Sequence, residues 1–135
     1  MSSIFDQRYR TLRYSTDGHD CAIRALCAAT GGEYADVMAL AVREGFYRPG
    51  QGMQLLHLVH MIELTGHRMQ ITSDLTGLSL AEVSKELRRM APPGGIIALT
   101  CDHAVGYYNG VCYDHAENDA TMVVRWLWRI VKCRG

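Results

Sequence analysis

The spacing of apolar residues changes period along the chain, and that change limits the folds open to it. Up to about residue 90 the spacing is mostly helical, and from residue 95 onward it is that of strands. Residues 21–30 place Ile23, Leu26, Cys27 and Thr30 at i, i+3, i+4 and i+7, which lines one helix face, and Gly31-Gly32 ends the run. A second helix is expected over about residues 33–44, with Tyr34, Val37, Met38 and Ala41 inward and Gly45 as terminator. A third is expected over about residues 53–65, with Leu55, Val59 and Ile62 as its stripe and Gly66 beyond its end. Residues 68–73 are short and β-compatible at Met69 and Ile71. Ser79 and Glu82 stand at capping-box spacing ahead of Val83, Leu87 and Met90, which predicts a fourth helix stopped by Pro92-Pro93.

In the last third, residues 96–99 read as a buried strand. Residues 103–108 stay extended up to Asn109-Gly110, the preferred dipeptide of a two-residue type I′ hairpin turn, and a return strand runs to about residue 114. Along residues 122–130, Met122, Val124, Trp126, Trp128 and Ile130 alternate with Arg125 and Arg129, which predicts that both tryptophans face the core. Helices first and an antiparallel sheet after make an α+β domain.

A length of 135 residues is one domain's worth at roughly 100–150 residues per domain, so residues 1–135 are expected to form a single unit. Hydrophobic residues at 48% and charged residues at 21% exclude a disordered or low-complexity chain. Fourteen basic against fourteen acidic side chains give no net field to attract nucleic acid or an anionic membrane. The basic, aromatic stretch Arg125-Trp126-Leu127-Trp128-Arg129 does not alter this, because its alternation sends the tryptophans inward. No run reaches the roughly 18–20 apolar residues of a membrane span, and the opening MSSIFDQRYR has no signal-peptide core. A cytoplasmic location with the five cysteines reduced is expected. The default for Cys27, Cys101, Cys112 and Cys133 is a core thiol.

Cys21 differs in position. It stands where a helix begins, with Asp20 as the expected N-cap, and unpaired amides and the helix dipole there stabilise a thiolate. The adjacent Asp20 carboxylate opposes that charge, so a histidinium partner is required. The hairpin supplies one. With Asn109 and Gly110 as turn residues, Tyr108 pairs with Val111, Tyr107 with Cys112, Gly106 with Tyr113 and Val105 with Asp114. His103 shares the face of Val105, so Asp114 lies diagonally across from it at roughly 7 Å between Cβ atoms. A carboxylate that accepts one ring N–H orients the imidazole and leaves its other nitrogen for a thiol. Asp102, on the opposite face, and Asp119, in the following loop, are weaker orienters. His57 and His60, with His67 and Cys101, offer a metal-ligand set only weakly, since no CxxC pair or HExxH accompanies them.

The stretch Asp17-Gly18-His19-Asp20-Cys21-Ala22-Ile23-Arg24-Ala25-Leu26, followed by Ala29-Thr30-Gly31 and Tyr34-Ala35-Asp36-Val37, resembles the nucleophile helix of small papain-like cysteine hydrolases. It looks most like short phage and bacterial proteins with a DCxxRAL signature. His103-Ala104-Val105, Asn109-Gly110-Val111 and Asp114 resemble the histidine strand, turn and acid strand of that family. Together these stretches cover about a third of the chain. The resemblance implies a papain-like domain of N-terminal helices packed on a C-terminal antiparallel β-sheet. It implies Cys21 as nucleophile, His103 as general base and then acid, and Asp114 as orienter. A peptidase, isopeptidase or amidase acting on a protein or peptide follows, with no metal or organic cofactor; for a phage-encoded chain the substrate would be a host protein. The family's Gln or Asn ahead of the cysteine has no counterpart here, where Ser15, Thr16 and His19 stand and the nearest amide is Gln7. The oxyanion hole would then use the backbone N–H of Cys21 with His19 or Ser15. The same departure is what an inactive papain-like protein that binds a host protein would display.

Overall fold

The structure, a computed structural model, describes residues 20–48, 52–101, 103–113 and 121–133. Three helices come first: α1 (Cys21–Thr30), α2 (Tyr34–Arg43) and α3 (Leu55–Leu64). Strand β1 (His67–Thr72) and helix α4 (Leu80–Met90) precede β2 (Gly95–Leu99), β3 (Ala104–Tyr108), β4 (Val111–Cys112) and β5 (Trp126–Lys132). The class is α+β as expected, but the segregation of helices before strands is incomplete. β1 comes before the fourth helix and pairs with β5. The sheet order is β1-β5-β2-β3-β4, with every neighbouring pair antiparallel.

Helices cover both faces of this sheet. Ile97, Leu99, Ala104, Trp128 and Ile130 face α1, α2 and α3, while Ile96, Ala98, Val105, Tyr107 and Leu127 face Leu80, Val83 and Leu87 of α4. Two-residue alternation therefore gives β2 two apolar faces, and all five of its residues are buried. Ser84 Oγ of α4 lies 2.6 Å from the Tyr107 hydroxyl, which satisfies a polar tip that the core would otherwise strand.

Local signals explain most element ends. Ser79 Oγ accepts from the Glu82 amide at 3.2 Å and donates to the Glu82 carboxylate at 3.0 Å, so Ser79 caps α4 and Glu82 folds back onto it. Asn109 (φ 51°) and Gly110 (φ 82°) both take positive φ, as a type I′ turn requires, and the register Tyr107↔Cys112, Tyr108↔Val111 is the expected one. Asn109 Oδ1 also accepts from Gly94 N at 2.9 Å, tying the turn back to the start of β2.

The inward faces are less faithfully read from spacing. In α3 the buried residues are Leu58, Met61 and Ile62, whereas Leu55 is exposed, because the helix is held against β1 by its later turns. Met90 is exposed at the end of α4. The run at 122–130 is not one strand: the β5 ladder begins at Trp126, and Val124 packs with α4 while Trp128 and Ile130 pack with α1. Trp126 at 45% exposure and Trp128 at 2% thus have opposite fates. Both lie in β5 and share a face by alternation, but Trp126 pairs only with Leu99 of β2, beyond the end of β1, whereas Trp128 is flanked by Ile97 and Ile71. Among the described residues no helix is long and apolar enough to cross a membrane.

The tightest packing is between α1 and the β2–β3 hairpin. A Cβ at Gly106 would lie 2.5 Å from the Ala25 carbonyl oxygen and 2.6 Å from Ala28 Cβ, and one at Gly95 would lie 1.9 Å from the Ala29 carbonyl oxygen. Neither backbone can yield to such an atom without the helix lifting. Gly106→Ala should destabilise the fold by about 1–3 kcal/mol, the usual range for overpacking. Thermal unfolding monitored by circular dichroism checks this, and an unchanged midpoint would show that the contact is softer than its distances suggest.

Candidate active site

The alanine–glycine contact sets where Cys21 falls. Ala25 sits over Gly106 and Ala29 over Gly95, whose strand partner is Tyr108, so α1 and β3 ascend together. One turn back from Ala25 along the helix, about 6 Å, is Cys21. Two residues back from Gly106 along the strand, about 7 Å, is Ala104. The nucleophile candidate therefore arrives at the start of β3, where its side chain is hydrogen-bonded to the His103 side chain and accepts the Ala104 backbone N–H.

His103 reaches the sulfur because it precedes the ladder. The sequence reading put it on the face of Val105, which in the structure packs under α4. Its ring instead meets Cys21 of α1, on the other layer, since the β2–β3 turn frees it from the alternation that begins at Ala104. Thr100 fixes this turn: its backbone N–H donates to the His103 carbonyl at 2.9 Å, and its Oγ1 accepts the His103 N–H at 3.0 Å. Arg125 braces the same turn, its Nε donating to Cys101 Sγ at 2.9 Å and its backbone N–H to the Leu99 carbonyl at 2.8 Å.

Cys21 is half-buried. Burial is the largest influence on its thiol and pushes its pKa up. The hydrogen bond to His103, the Ala104 amide, and the charges of His103 and Arg24 outweigh it, and the pKa lies below the usual thiol value. Cys21 is also the first residue of a ten-residue helix, where the dipole acts in the same sense. Asp20 occupies the N-cap position without capping, since its side chain accepts no helix amide. Fully buried, it takes Arg24 Nε on Oδ1 at 2.8 Å and the Tyr34 hydroxyl on Oδ2 at 2.5 Å. The first-turn amides of α1 are thereby left uncapped by that carboxylate.

Asp114, His19, Ser15, Thr16, Gln7, Asp102 and Asp119 lie outside the described residues. Of the residues expected at the site, Cys21 and His103 are brought together. Sequence reasoning missed the Asp20–Arg24–Tyr34 cluster and Thr100; the i, i+4 spacing of Asp20 and Arg24 was its one available signal. Cys27 is buried as expected, whereas Cys101, Cys112 and Cys133 are exposed, contrary to the core default. They lie in a turn and at strand ends, where no second layer covers them. His57 stacks on Phe46 with ring centroids 4.6 Å apart, His60 meets the same ring at 5.8 Å, and His67 Nδ1 is 2.9 Å from the Thr65 carbonyl oxygen. Among the described residues, no three His, Cys, Asp or Glu are grouped to hold a metal ion.

Comparison with protein-family models, with curated proteins and with solved structures found no match.

The balance at Cys21 gives a signed expectation. The rate of Cys21 alkylation by iodoacetamide should rise with pH through a midpoint below that of an ordinary thiol. His103→Ala should move that midpoint upward, because the burial that opposes the thiolate stays while its main partner goes. Mass spectrometry of the Cys21 peptide across a pH series reads both shifts.

Proposed function

We propose that the protein is a cysteine-dependent hydrolase of papain-like type, a peptidase, isopeptidase or amidase, with Cys21 as nucleophile and His103 as its acid–base partner. The observation that carries this reading is the hydrogen bond between a half-buried thiol at a helix start and an imidazole held in a hydrogen-bonded turn. The lowered pKa of Cys21 favours its thiolate, which is the reactive form of a cysteine nucleophile. Asp114, which the resemblance to papain-like hydrolases assigns as orienter, would accept the second ring N–H.

In the reaction the Cys21 thiolate attacks the substrate carbonyl carbon, and the C–S bond forms as the carbonyl electrons move to oxygen. Backbone N–H groups at the start of α1, Cys21's own among them, would stabilise that oxyanion. Collapse breaks the C–N bond, and the imidazolium of His103 protonates the departing amine. Water then gives a proton to the neutral imidazole and attacks the thioester, releasing the acid and restoring the thiolate–imidazolium pair. The protein would act on a protein or peptide chain.

Mixing the protein with a panel of activated acyl esters and peptide amides, then quenching in acid, tests this. An acyl group should appear on the Cys21 peptide and turn over, be absent in Cys21→Ala, and form at least a hundredfold more slowly in His103→Ala, in keeping with the size of acid–base contributions. A sulfur that never acylates, with substrate-like peptides still retained by the protein, would favour the inactive binding protein instead.

A further inference from the structure

Asp20 poses a problem for a nucleophile: a carboxylate joined to Cys21 by a single peptide unit opposes the thiolate. Yet it is fully buried, and both its oxygens are engaged, one by Arg24 on the next turn of α1 and the other by Tyr34 at the start of α2. Arg24 is itself buried at 6% exposure, and its charge favours the thiolate. A buried pair of this kind is a poor source of net stability, because desolvation offsets most of the attraction. Its placement beside the sulfur suggests another use.

Resting on the reading of Cys21 as nucleophile, we infer that Asp20, Arg24 and Tyr34 are a positioning unit. It pins the first residue of α1 so that the sulfur meets His103, and it offsets the Asp20 charge so that this acid does not suppress ionisation of its neighbour. Arg24 is the centre of the unit, since it both binds the carboxylate and adds a positive charge near the sulfur. Tyr34 adds a neutral donor and ties the start of α2 to the same point. Among the described residues, the charged groups that bear on Cys21 are Asp20 and Arg24 from its own helix start and His103 from the β2–β3 turn, with the Tyr34 hydroxyl from α2.

The test reads the alkylation rate of Cys21 by iodoacetamide against pH in the full chain, with circular dichroism as a check on folding. Arg24→Gln should raise the midpoint and slow Cys21 alkylation at pH 6 severalfold, because a positive charge that favours the thiolate is lost. The double variant Asp20→Asn with Arg24→Gln should recover most of that loss, since the opposing carboxylate is gone as well. A merely structural cluster would make the double variant as slow as the single one, and that result overturns the inference, as does an Arg24→Gln protein that alkylates like the parent. If Arg24→Gln does not fold, Tyr34→Phe decides: it keeps the ring, loses one donor to Asp20, and should slow Cys21 at pH 6 about two- to threefold, an unchanged rate being adverse. A parent protein whose Cys21 midpoint is already ordinary, and indifferent to His103→Ala, overturns the nucleophile reading and this inference together. A low parent midpoint that survives Arg24→Gln overturns only the inference.

Discussion

The bare contact of α1 on the β2–β3 hairpin is the constraint from which the rest of the arrangement follows. Alanines on the helix and glycines on the strands let two backbones approach to a distance that no larger side chain permits. Close approach fixes axial register as well as separation, because Ala25 and Ala28 nest against Gly106 while Ala29 lies over Gly95. Once those pairs are set, the helix rise and the strand rise carry Cys21 and Ala104 to the same level. The thiol's meeting with His103 is in this sense a packing result first and a chemical one second.

The polar groups then decide what the meeting is worth. A sulfur in this half-buried position would by itself resist ionisation, and an acid as sequence neighbour would add to the resistance. The imidazole, the Ala104 amide and the Arg24 charge act in the opposite sense and prevail. The Thr100 hydrogen bonds keep the imidazole in place without any regular strand pairing at His103 itself. Rigid placement of both partners by different layers, helix for one and sheet turn for the other, is the kind of preorganisation acyl transfer requires.

Much of this was legible beforehand where local chemistry has one solution. Asn109-Gly110 admits a two-residue turn, and that turn dictates the register of Tyr107 and Tyr108 against Cys112 and Val111. Ser79 with Glu82 fixes a helix start for the same reason. The position of Cys21 at a helix start followed from the apolar spacing behind it. What escaped depends on distant parts of the chain: which face α4 covers, where the ladder of β5 begins, and so which tryptophan is buried. The orientation of His103 escaped because alternation holds only inside a paired strand, and His103 sits one residue outside. Asp20 was expected to cap its helix, a local solution, but Tyr34 and Arg24 offer a buried tertiary one.

Strand order adds a temporal aspect to this geometry. β5, the last of the described elements in sequence, lies between β1 and β2, and its Trp128 and Ile130 complete the layer on which α1 rests. During synthesis the thiol leaves the ribosome long before the segment that finishes its platform. Contacts of such long range form late, after the loop-closure entropy has been overcome. The platform beneath Cys21 is therefore complete only once residues 126–132 have joined the sheet. The layer that supports the thiol is in this way finished last, after translation has passed β5.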